Sequence, residues 1–149
     1  MGIGQDIQQR SFKSEFGKAI INIFYTSSWL GQKHQEFFKS FGLTSPQFNV
    51  LRILRGQHPD PATVNLIIER MIDKSSNASR IVDKLESKGL VERKQCPHDR
   101  RAVDVVITLA GLDMLKQMDG KLEQLEEGMK KLSEEESAQL NMLLDKIRS

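Results

Sequence analysis

The most reactive side chains of this sequence stand together in one short stretch, "CPHDRRAVDVVIT", from Cys96 to Thr108. It holds the chain's only cysteine, one of its three histidines, two aspartates and two adjacent arginines. Cys96, His98 and Asp99 are all metal-ligand types, and an exposed thiol can also form a mixed disulfide. Three ligands within one short loop enclose an ion poorly, however, and no second Cys-x-x-Cys or histidine pair lies nearby. His34 and His58 also lack spaced partners. The expectation is therefore no metal and no cofactor. What remains is Asp99, Arg100 and Arg101, charges suited to meeting a polyanion. Elsewhere there is no phosphate-cradling glycine loop, no nucleophile elbow and no carboxylate pair isolated in an apolar stretch, so the residues do not read as an enzyme.

The whole chain sets the frame for that stretch. Its 149 residues make one domain able to bury a core without disulfides. A single cysteine fits a reducing compartment. No apolar run approaches the roughly 18 residues of a spanning helix, and the N-terminus lacks a signal-peptide core, so a soluble, cytoplasmic protein is expected. Net charge is only +2. From Arg70 to Arg101, however, nine Lys/Arg face five Asp/Glu, whereas from Leu109 to Ser149 six face nine. One part suits a polyanion and another does not.

Apolar spacing then predicts the elements. Phe12, Phe16, Ile20, Ile23 and Leu30 recur at helical spacing, which predicts a helix over about 12–40, stopped by Gly42. "LTSPQFNVLRILRG" predicts a second helix with Ser45 as cap and Pro46 at its first position. "QHPDPA" reads as a loop. Thr63 caps a third helix with Leu66, Ile67 and Met71 inward. After the turn "IDK", a fourth helix is expected from about Ser75 to Lys88, capped by Asp73 or Ser75. Its stripe is Ala78, Ile81, Val82 and Leu85, and Gly89 stops it. "LVERK" and "AVDVVIT" then read as two strands joined by the tip "QCPHDRR". From Thr108 a long helix is expected, with Leu115, Met118, Leu122, Leu125, Met129 and Leu132 as a heptad-like seam weakened by Gly120 and Gly128. Ser133 with Glu136 is a capping box that starts a last helix. The seam needs a cover, either an intrachain bundle or a second copy.

Helix, turn, helix and hairpin in that order make a winged helix-turn-helix, and the fold expected is mainly α with a small β-hairpin. Serine and asparagine on a free helix face offer donors and acceptors without bulk, as the major groove requires. Asn77 could meet an adenine edge, and Arg80 and Lys84 could reach guanine or phosphate. Arginines at a hairpin tip suit the minor groove. The bland alternative is a solvated surface helix and an ordinary loop.

"LTSPQFNVLRIL", "DKSSNASRIVDKLESKGLVER" and "PHDRRAVDVVIT" together resemble the multiple-antibiotic-resistance-regulator (MarR) family of transcription factors, over nearly the whole chain. The resemblance implies a homodimer built on N- and C-terminal helices, about 1–43 and 109–149, around a winged unit of about 44–108. Each winged unit would bind half of a pseudo-palindromic double-stranded DNA operator. The family's major-groove positions fall on Ser75, Ser76, Asn77, Ser79 and Arg80. Its minor-groove arginine falls on Arg101, with Asp99 orienting it and Arg100 beside it for phosphate. The recognition helix is more serine-rich here than the family often has. Relatives often release DNA on binding a small phenolic or other aromatic effector between the dimerisation helices and the winged unit. Phe24, Trp29 and Phe48, with His34 and Arg52, are the crevice candidates. Aromatics at helical spacing are more often core, so none of these is taken as a site. Cys96 lies away from the position that redox-sensing relatives use. A constitutive or redox-modulated DNA binder, and a winged-helix interaction module without DNA binding, stay open beside the ligand-released repressor.

Overall fold

The structure, a computed structural model, describes residues 2–95 and 102–149. It divides into two compact units, Met1–Phe37 with Leu125–Ser149, and Phe38–Gln124. In chain order the elements are α1 (Ile3–Asp6), α2 (Glu15–Lys39), α3 (Ser45–Gln57), β1 (Ala62–Thr63), α4 (Val64–Arg70), α5 (Ala78–Ser87), β2 (Val91–Gln95), β3 (Val103–Ile107), α6 (Leu109–Asp119), α7 (Glu123–Glu126) and α8 (Glu134–Arg148).

The second unit is built on α3. Thr44, one residue before the expected cap, closes a capping box with Gln47, and Pro46 occupies the first turn, where its missing N–H costs nothing. Helix α3 packs against α4, α5, β3 and α6. It buries Phe48, Val50, Leu51 and Leu54, and Ile67 of α4, Met71 just after it, Val82 and Leu85 of α5, Val105 of β3, and Leu115 and Met118 of α6 are buried as well. Each such side chain is worth about 1.5–3 kcal/mol over its exposed state. Phe38 stacks on Phe48 with ring centroids 4.5 Å apart. Gln47 is the buried polar side chain of this core; its Oε1 accepts from the Thr44 N–H and from Lys88 Nζ at 3.1 and 3.2 Å.

The sheet has three antiparallel strands in the order β1-β3-β2. In the hairpin Val91 pairs with Ile107 and Arg93 with Val105, which turns Val91, Val105 and Ile107 inward together. Strand β1 was not expected from the sequence. Ala62 and Thr63 pair with Val105 and Asp104, and two residues define no period, so only the partner strand reveals them. The hairpin's exit is tight. Thr108 caps α6 and donates its hydroxyl to the Gly89 carbonyl at 2.7 Å. A Cβ on Gly111 would lie 2.4 Å from the Leu90 carbonyl oxygen.

Two further expectations are corrected. Helix α5 begins at Ala78, not near Ser75. The reason is that Asp73 accepts from both the N–H and the hydroxyl of Ser75, which holds a turn, and Asn77 then takes the cap. The long helix after Thr108 is also broken. Helix α6 ends at Asp119, and the bonding continues in i to i+3 steps, from the Lys121 N–H to Met118 at 2.9 Å and from Gln124 to Lys121 at 3.1 Å. Gly120 and Gly128, poor helix formers, stand where the continuous helix would have to pass.

In the first unit, a Cβ on Gly128 would lie 3.1 Å from the Trp29 ring, so the glycine lets the chain approach that ring, while Lys33 Nζ lies over its plane 4.2 Å from the centroid. The expected box of Ser133 and Glu136 starts α8. Phe16, Ile20 and Phe24 on α2, and Met142, Leu143 and Ile147 on α8, are exposed. No helix among the described residues is long and apolar enough to cross a membrane.

Candidate nucleic-acid interface

The segment from α4 to β3 carries the sequence-predicted site. Thr63 caps α4, accepting from the Leu66 N–H at 3.1 Å. At the other end Lys74 Nζ donates to the Ile68 carbonyl at 3.1 Å and to that of Glu69, adding a donor to the carbonyls of the last turn. The Ile72 N–H donates to Asn49 Oδ1 of α3 at 2.9 Å, which ties the turn to the core. The Ser75 hydroxyl and N–H donated to Asp73 favour its ionised form and hold its carboxyl below the usual aspartate value.

Helix α5 is strongly amphipathic. Ala78, Val82 and Leu85 are buried, whereas Ser79, Arg80, Asp83, Lys84, Glu86 and Ser87 are exposed. Four of the five predicted recognition residues, Ser75, Asn77, Ser79 and Arg80, are exposed at the N-terminal end of α5, and Ser76 is half-buried among them. Asn77 has a second duty. Its Oδ1 accepts from the Arg80 N–H at 3.1 Å as the helix cap. A bidentate pair with adenine needs both the oxygen and the nitrogen of the amide, and the cap already takes one of the oxygen's two lone pairs. Arg80 and Lys84, one turn apart, present two cations along the outer surface of the helix.

The hairpin side of α5 holds a group that sequence reasoning missed. Arg93 on β2 donates from Nη1 to the Asp83 carboxylate and from Nη2 to the Ser79 carbonyl at 3.1 Å, and Glu86 Oε1 lies 3.8 Å from Nη1. The Arg93 backbone N–H donates to Glu86 Oε2 at 3.0 Å. No short-range pattern marks this network, because it exists only once the chain has turned at Gly89. That glycine adopts φ +74, the left-handed conformation of a helix C-terminus. Asp99, Arg100 and Arg101, with Cys96 and His98, lie outside the described residues. Among the described residues no cluster of three His, Cys, Asp or Glu could hold a metal. Of the crevice candidates, Phe48 is buried in its stack with Arg52 5.8 Å from its ring centroid, and Trp29 lies beneath Lys33.

Residues 43–103 match the model of the MarR family, a span that runs from the entry of α3 to the first residue of β3. The HTH-type transcriptional regulator MhqR of Bacillus subtilis is 31% identical over 107 residues, which are 71% of this chain and 72% of the relative. The crystal structure of a MarR transcription factor from Planctomyces limnophilus is similar with a TM-score of 0.71 and 31% identity, covering 91% of this chain and 98% of that one. The chain belongs to the MarR family. A MarR mutant from E. coli complexed with operator DNA is similar with a TM-score of 0.80 and 26% identity, over 93% of this chain and 99% of that one. As a MarR-family protein this chain is a DNA-binding transcriptional regulator with a winged helix-turn-helix fold.

Proposed function

We propose that the protein is a homodimeric, cytoplasmic repressor that lays α5 of each copy into the major groove of one half of a pseudo-palindromic operator. The observation that carries this reading is the outer surface of α5. It is a helix packed by one buried stripe, with Ser79, Arg80 and Lys84 exposed beside the capping turn of Ser75–Asn77. Small polar groups there fit base edges, and the two cations fit phosphate or guanine. Arg101 at the hairpin tip would enter the minor groove, with Asp99 orienting it and Arg100 on phosphate. The apolar residues exposed on α2 and α8 support pairing of two copies, since an isolated soluble chain seldom leaves so many large side chains in water.

Release by a small phenolic or other aromatic effector follows from the family resemblance. A mobility-shift titration on the DNA upstream of the protein's own gene tests the DNA binding, the wing and the release by ligand. Binding should fall steeply with salt. Arg101→Ala should weaken it, and unchanged binding in that variant would remove the wing from the interface. Phenolic acids added to the same titration should release the DNA, and no release by any member of a broad panel would favour a constitutive regulator.

A further inference from the structure

Residues Ser79, Asp83 and Glu86 follow one another at helical spacing along the hairpin flank of α5, whereas Arg80 and Lys84 run along the other. The exposed surface of the helix thus carries two cations and two carboxylates, which cancel. Helix α5 meets a polyanion in the reading above, on which this inference rests. Unscreened carboxylates there would oppose binding, because like charges brought together at an interface are repelled.

Arg93 resolves the conflict. Its guanidinium, only 27% exposed, takes Asp83 through a charge-assisted hydrogen bond, lies within 4 Å of Glu86 and also donates to the Ser79 carbonyl. The Glu86 carboxylate is held a second time by the Arg93 backbone N–H. Both acidic side chains are drawn toward β2, and the strand is fixed to the helix at three points. We propose that Arg93 is a positioning residue for DNA binding. It neutralises Asp83 and Glu86 and sets the hairpin against α5, and it does so without itself contacting DNA. A lysine could not replace it, since one ammonium lacks the planar fork that serves a carboxylate and a carbonyl together.

The test is fluorescence anisotropy on the upstream duplex, with thermal unfolding of each variant, at a temperature where all are folded. Wild-type binding is the control: if wild type does not bind, the DNA reading of α5 fails, and this inference with it. With wild type binding, Arg93→Gln should lose about 10–100-fold in affinity, the range of one good interface contact. Combining Arg93→Gln with Asp83→Asn and Glu86→Gln should restore affinity to within a few-fold of wild type, with the salt slope of wild type. Asp83→Asn alone should bind at least as tightly as wild type. If Arg93 instead touches phosphate, the triple variant stays weak and its salt slope falls by about 0.9. If Arg93 only stabilises the fold, Asp83→Asn and Arg93→Gln lose affinity together, in step with their melting temperatures. Either result, or unchanged affinity of Arg93→Gln, overturns the proposal.

Discussion

At the scale of single residues, Asn77 caps α5 and is proposed to read a base, and substitution can separate the two. As the cap of α5 it accepts from the Arg80 N–H, and as a recognition residue it would offer its NH2 to a base. Asn77→Asp keeps an excellent cap and places a negative charge at the favourable end of the helix dipole, so stability should hold. The same change removes the donor and sets a carboxylate against DNA, so binding should fall by at least tenfold, about 1.4 kcal/mol. Asn77→Ala should instead cost about 1 kcal/mol of stability. Thermal unfolding and mobility shift on the two variants separate the roles; equal loss of stability in both would deny the cap. Asp73 gives a pH prediction. Because Ser75 lowers its pKa, the turn before α5 gains stability that is complete above the ordinary aspartate range. That stability is lost as pH falls through the depressed folded value. A carbonyl-detected NMR titration should find Asp73 below ordinary aspartate, and Ser75→Ala should raise it; no change in that variant would remove the hydroxyl as the cause.

At the scale of elements, local signals survived and long-range ones did not. The Ser133 and Glu136 box and the Thr63 cap were legible because a cap and its partner stand within three residues. The α5 stripe was legible for the same reason, though its start was not. Asp73 and Asn77 both suit a cap, and only the Asx turn on Ser75 decides between them. Strand β1, the Arg93 network and the close passage at Gly111 depend on segments that meet after the chain returns on itself, so no window of sequence contains them. The heptad seam misled because apolar spacing does not say which partner covers each residue. Leu115 and Met118 are fully buried in the second unit, whereas Leu132 at the other end of the seam is exposed. Of the candidate site, the exposed polar residues of α5 were legible from their place opposite an apolar stripe, whereas Asp99, Arg100 and Arg101, expected from composition and resemblance, lie outside the described residues. The junction of hairpin and α6 makes its own prediction. Gly111→Ala drives a methyl into the Leu90 carbonyl, a backbone atom that cannot step aside, and should cost about 1–3 kcal/mol. Urea denaturation should show a lower midpoint with an unchanged slope; wild-type stability would mean that β2 and α6 can separate freely.

At the scale of the whole molecule, the exposed side chains of α2 pose the question of what covers them. Phe16 is 85% exposed and Phe24 72%, and together with Ile20 they recur every four residues along one stripe of the helix. Aromatic side chains of this size would contribute most of an interface's energy if a second copy buried them. Phe24→Asp should therefore leave the winged unit folded, because Phe24 lies outside the segment 38–124 that holds its core. It should nevertheless abolish self-association in sedimentation, since a carboxylate buried without a partner is strongly disfavoured. DNA binding should weaken with it by about 10²-fold or more, because two linked winged units bind two half-sites far better than one binds either. The unfolding midpoint should rise with concentration for wild type and not for the variant. A variant that still sediments as wild type would place the pairing surface elsewhere. A monomeric variant with undiminished affinity would mean that each winged unit binds DNA alone.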